Sequence, residues 1–236
     1  MTTTNATCPE GGTQARARPR RTRWRIWLVS AAALALLILL GLVVAATYRP
    51  AWYAPAPVDF QRLRDDKAAL AALEDEISAA LNAGREIRLQ IDAAQINRWL
   101  AARAEIWPQA AIPLANLDQP QVLLRDGQFS IGATGSAGEW RAVVALTGTV
   151  TVHDDRVSLE LLAAHVGAVP IPAARLTQRL AGLVADHGHL RPTGDGRTLS
   201  LPNEWVWPNG KRRCRLREVS IGNGVMEVVL QPVPAP

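Results

Sequence analysis

Along the first half of the chain the apolar positions change rhythm from one segment to the next. From Ile26 to Ala46 there is no charged residue, and the most polar members are Ser30 and Gly41. About 21 residues rising ~1.5 Å each match a hydrocarbon core of roughly 30 Å, so the run predicts one membrane-spanning helix over Ile26–Tyr48. Further on, Phe60, Leu63, Leu70, Leu73, Ile77 and Leu81 recur at helical spacings, predicting a helix that Asp59 caps and Gly84 stops. The period then falls to two. Ile87, Leu89 and Ile91 share one face of a strand over Glu86–Ile91, and Asp92 with Gln95 reads as the capping box of a short helix carrying Ile96, Trp99 and Leu100. Trp107-Pro108 breaks that run.

The second half alternates in the manner of hairpins. Asp126-Gly127 suits a type I′ turn, which sets Leu124 opposite Phe129 and Val122 opposite Ile131. Trp140, Ala142, Val144, Leu146, Val150 and Val152 form the expected core face of a long strand that turns at Asp154-Asp155. On its return, Val152 meets Val157 and Val150 meets Leu159, while Thr151–Ser158 and Thr149–Glu160 face water. Gly167-Ala168-Val169-Pro170-Ile171-Pro172 interrupts the sheet, and a helix over Ala173–Asp186 follows, with Leu176, Leu180, Leu183 and Val184 as its stripe and Gly188 as its stop. Two last strands, Cys214–Ile221 and Val225–Leu230, are joined at Gly222-Asn223-Gly224. The fold expected is α+β: one N-terminal transmembrane helix, then an extracytoplasmic domain with an antiparallel β-sheet packed by amphipathic helices.

Charge sharpens the topology. Arg16, Arg18, Arg20, Arg21, Arg23 and Arg25 precede the span and only Arg49 follows closely, which predicts a cytoplasmic N-terminus. Trp24 and Trp27 at one end, and Tyr48, Trp52 and Tyr53 at the other, are the expected membrane-interface residues. The net charge of +5 points to nucleic acid only while the chain is read as one object. Residues 1–49 hold seven Arg against Glu10; the remainder holds 19 basic and 20 acidic residues, so the outer part is nearly neutral and no nucleic-acid partner is expected. The competing reading is a signal peptide cleaved after Val44-Ala45-Ala46, but its apolar region would be unusually long. The organisation predicted is a basic disordered arm over 1–25, the span over 26–48, a Pro-rich spacer over 49–58 and the domain over 59–236. Cys8 and Cys214 fall on opposite sides of the membrane, so no disulfide is expected within one chain.

The run Ile91-Asp92-Ala93-Ala94-Gln95-Ile96-Asn97-Arg98-Trp99-Leu100, followed by hairpins and by Val157-Ser158-Leu159-Glu160-Leu161 leading into Gly-x-x-Pro-x-Pro, resembles the YpmS-like family of single-pass bacterial membrane proteins. The likeness covers the anchor and roughly residues 86–187. It implies the topology and the fold, and it brings no catalytic residues.

Candidate chemistry is sparse. His187-Gly188-His189 lacks a third ligand nearby, so neither a metal nor any other cofactor is expected. Ser136 lies in Gly135-Ser136-Ala137-Gly138, without the spacing of an exposed nucleophile. His153, Asp154, Asp155 and Glu160 are the residues on which an envelope hydrolase or transferase would depend. The cluster with most promise is Lys211, Arg212, Arg213, Arg215 and Arg217 with Trp205 and Trp207 before it, a basic edge or a surface for anionic envelope material with the indoles as stacking partners. The function expected is therefore a noncatalytic module binding a lipid-like or anionic ligand, or a partner protein, near the membrane.

Overall fold

A computed structural model describes residues 21–55, 57–108, 117–138, 140–184, 191–193, 195–208 and 212–234. Lys211 and the His187-Gly188-His189 run lie outside the described residues, as do Gly188 and the arm before Arg21. The protein is α+β with antiparallel sheets and one N-terminal apolar helix. That helix, α1, runs Arg21–Ala46. Its segment Val29–Ala46 has a mean hydropathy of 2.8, is wholly unburied, and is long and apolar enough to cross a membrane. Helical structure begins five residues before Ile26 because arginine is a good helix former, and it ends before Tyr48 at a turn on Thr47. The chain divides into two compact units between Gly41 and Leu42, and the sheets and the helices after α1 belong to the second.

Helix α2 spans Leu63–Asn82. Asp59 does not cap it; its carboxylate accepts from the Gln61 and Arg62 N–H groups one turn earlier, and Phe60 is 72% exposed rather than part of the stripe. Gly84, at φ +68°, ends the helix as expected: its N–H donates to the Leu81 carbonyl and Arg85 N–H to that of Ala80, a Schellman closure. The apolar face of α2 covers a four-stranded sheet in the order β1 (Ile87–Asp92), β11 (Val225–Pro232), β10 (Arg213–Ile221), β9 (Trp205–Val206). Ile77, Ala80 and Leu81 pack there with Ile87, Leu89, Cys214 and Leu230. The two C-terminal strands thus belong with β1, apart from the central hairpins, and form a second sheet that the periodicity had not separated.

Helix α3 (Ala93–Ala101) starts after Asp92, but the Asp92 side chain makes no capping bond. The Ala93 N–H instead donates to the Gly224 carbonyl, so an adjoining hairpin does the work assigned to a capping box. A short helix, α4, follows at Arg103–Ile106.

The larger sheet runs β2 (Leu117–Arg125), β3 (Gln128–Ala137), β4 (Trp140–Val152), β5 (Arg156–Val166), β8 (Thr198–Pro202), β7 (Arg191–Pro192), with β6 (Val169–Pro170) also on β5. Helix α5 (Ala173–Val184) packs against β5. The expected pairings hold: Leu124 with Phe129, Val122 with Ile131, Val152 with Val157, Val150 with Leu159. Asp126 and Gly127 take φ +51° and +78°, as a type I′ turn requires. The buried face of early β4, however, is opposite to the expected one. Val143 is 2% exposed and Ala145 7%, Val144 and Leu146 are half-buried, and Trp140 is 62% exposed. Ala142–Leu146 is apolar on both faces, so alternation could not choose; Trp52 and Tyr53 chose by lying across Gly132 on the Val143/Ala145 side.

Candidate functional site

The segment after α1 is more than a spacer. Tyr53 is 5% exposed, and its hydroxyl bonds the Gln119 carbonyl at 2.8 Å and Thr134 Oγ1 at 2.9 Å. A Cβ at Gly132 would lie 2.8 Å from the Trp52 ring and 2.9 Å from that of Tyr53, so glycine makes the seat for both. Trp52 and Tyr53 are therefore fastened to the sheet, which corrects their assignment as membrane-interface residues. Tyr48 is 53% exposed, and Trp24 and Trp27 belong to the first turns of α1.

Beyond this clasp Ala54, Pro55, Pro57 and Val58 form a strap along one side of the domain, and each proline fixes φ and lacks a donor N–H. Under the strap lies a cleft of about 380 Å³. Its walls are Ala54, Pro55, Pro57 and Val58 from the strap; Ala94, Asn97, Arg98 and Ala101 from α3; Arg103 from α4; and Gln119, Pro120 and Gln121 from the β2 edge. Small residues on α3 leave the space, and a register shift between Asp118 and Gln121, with Gln119 at φ +51°, interrupts the strand pairing where Gln119, Pro120 and Gln121 line it. A second cleft of about 280 Å³ adjoins it and shares Pro57, Val58, Arg98 and Ala101.

The two clefts differ in charge. The smaller pairs Asp59 and Asp66 with Arg62 and Arg98, whereas among the described residues the only charged side chains lining the larger are Arg98 and Arg103. Arg98 Nε donates to Asp66 at 3.0 Å and its side chain remains 41% exposed. Arg103 is steadied by the Leu117 carbonyl at 2.6 Å and that of Leu100 at 3.3 Å. Gln121 donates to the Trp52 carbonyl at 3.2 Å, and its buried Oε1 has no partner among the described residues. The arrangement offers two guanidinium groups in a mostly apolar recess, which suits a ligand with an anionic end.

The basic C-terminal cluster is divided by the sheet. Trp205 and Trp207 pack against the core under α2, and Trp207 Nε1 donates to Ser78 Oγ at 2.8 Å. Strand alternation sends Arg213 and Arg215 to the other side of Cys214, so the indoles are not stacking partners for these two arginines. Arg213 pairs with Glu204 at 2.9 Å, Arg215 bonds Gln231, and Arg217 pairs with Glu86 at 2.6 Å, which raises its pKa further. Arg212 is exposed, and Lys211 lies outside the described residues. His153, Asp154 and Asp155 are exposed on the β4–β5 turn, and Glu160 is exposed on β5; none lines either cleft. Ser136 is exposed near the end of β3. Among the described residues no His, Cys, Asp and Glu side chains gather as a metal site.

The cleft itself escaped the sequence reading. Arg98 and Arg103 look like ordinary solvated helix positions, and only the tertiary fold brings them into one cleft with Gln121 and with Ala54, Pro55, Pro57 and Val58. Comparison with family models, curated proteins and solved structures finds no match to this chain.

Proposed function

We propose that this chain is a single-pass envelope protein, with its N-terminus cytoplasmic and its folded domain outside, and that the domain binds the anionic end of a lipid-like ligand without covalent chemistry. The observation that carries the reading is the pair Arg98 and Arg103 in a cleft otherwise lined by prolines, alanines, Val58 and neutral amides. An acyl chain would follow the apolar wall, gaining about 25 cal/mol per Å² buried, and a phosphate or carboxylate would meet the guanidinium groups. Pro55 follows Ala46 by nine residues, so the cleft lies within about 30 Å of the end of the span.

The test uses the full chain in zwitterionic nanodiscs, titrated with lysophosphatidylglycerol and with lysophosphatidylcholine and read by native mass spectrometry. The anionic probe is expected to bind in preference. Arg98→Ala should weaken it by about tenfold, one charge-assisted hydrogen bond of roughly 1.4 kcal/mol. Asp66→Asn should tighten it, since Asp66 competes for Arg98. Equal binding of both probes, or indifference to both substitutions, would sink the reading.

A further inference from the structure

We infer that the tip of the β3–β4 hairpin is a second membrane contact, inserting Trp140 and Arg141 into the lipid headgroup layer beside the end of α1. The inference rests on α1 being a membrane span. Its starting point is where the last turn of α1 sits. Gly167, in the turn after β5, has φ +60° and donates its N–H to the Val143 carbonyl at 2.7 Å. The next N–H, that of Ala168, donates to the Ala45 carbonyl at 2.7 Å. A Cβ on Gly167 would run into the Ala45 and Ala46 carbonyls, so the end of α1 is seated directly on this turn.

Strands β3 and β4 continue past that seat. Trp140 begins β4 three residues before Val143, which is about 10 Å of extended chain. A headgroup layer occupies roughly 5–8 Å on each side of the hydrocarbon, so the tip has the reach to enter it. Its composition fits. Trp140 is 62% exposed at the end of a strand whose next apolar residues are buried or half-buried, and Arg141 beside it is exposed. The exit from α1 repeats the combination, with Tyr48 53% exposed and Arg49 exposed. An indole with one polar edge and a guanidinium on an apolar stem both partition to the headgroup level, and the cation favours anionic lipid.

The test is depth-dependent quenching on the full chain in liposomes of zwitterionic and anionic phospholipid. In a Cys8→Ser background, where buried Cys214 stays unlabelled, single cysteines are placed by Trp140→Cys, by Thr151→Cys at the far end of β4 and by Leu36→Cys within α1. A fluorophore at each site is then challenged with headgroup-level nitroxide lipid and with a water-soluble quencher. The label at 140 is expected to be quenched several-fold more by the nitroxide lipid than the label at 151, and Arg141→Glu should reduce that difference. If 140 behaves like 151 while 36 is protected from the aqueous quencher, the hairpin contact is wrong and the span stands. If 36 is itself accessible to water, both readings fall.

Discussion

Asn203 joins the two sheets through its side chain. It is 1% exposed; its Nδ2 donates to the carbonyls of His153 at 2.6 Å and Leu216 at 2.7 Å, and its Oδ1 accepts from Leu216 N–H at 2.8 Å. One side chain thus ties the β4–β5 turn to β10 just before the irregularity between Leu216 and Glu218. In sequence it follows Pro202 and reads as an ordinary turn residue. Asn203→Ala leaves three part-buried backbone groups without this partner and should cost about 2–3 kcal/mol in denaturant unfolding of the full chain in detergent; Asn203→Asp, which cannot donate to either carbonyl, should not rescue it. Tyr53→Phe removes one hydroxyl with two partners and should cost about 1–2 kcal/mol in the same assay. Cys214 gives a pH-dependent readout, since burial pushes its thiol up. The folded chain holds that proton more tightly than the open chain, so this contribution to stability is complete below the ordinary thiol pKa and is lost as pH rises through the folded value. Alkylation of Cys214 at mildly alkaline pH should therefore be slow and should accelerate only across the unfolding transition.

Among the elements, β2 shows how an edge strand is closed to strand addition. Asn97 Nδ2 donates to the Val122 carbonyl at 2.9 Å and its Oδ1 accepts from Val122 N–H at 2.6 Å, as a neighbouring strand would. Gly224 N–H occupies the Leu124 carbonyl at 2.8 Å, and Pro120 has no N–H to offer. An open edge invites pairing with other chains, so Asn97→Ala should speed hydrogen exchange at Val122 and raise concentration-dependent self-association while leaving the other strands protected. Hairpin registers were legible in the sequence because turn residues and alternation fix them locally, as Asp126-Gly127 does for β2 and β3. The covered face of β4 was not, because a strand apolar on both sides takes its orientation from whatever packs on it.

At the scale of the whole molecule, the domain begins earlier than the Pro-rich stretch suggests: the compact unit starts at Leu42 and takes in the last turn of α1 and the Trp52–Tyr53 clasp. Gly167 is the residue that permits the first of these junctions. Gly167→Val meets both an unfavourable φ and the Ala45 and Ala46 carbonyls, so it should release the last turn of α1. The expected result in nanodiscs is faster proteolysis between Thr47 and Val58 with the sheets still resistant. Protection of that stretch equal to the unsubstituted chain would show that the junction does not depend on this turn.

The sequence by itself determined the apolar span, the helix stop at Gly84, the hairpins and the α+β class, because each follows from periodicity, turn chemistry or the length of an uncharged run within a short window. Only the tertiary structure decided that the C-terminal strands join β1 in their own sheet, that Trp205 and Trp207 serve the core while Arg213 and Arg215 turn away, and that Arg98, Arg103 and Gln121 line one cleft with Ala54, Pro55, Pro57 and Val58. These outcomes depend on contacts between segments far apart along the chain, and no local pattern of residues encodes which of several apolar or charged faces will find a partner.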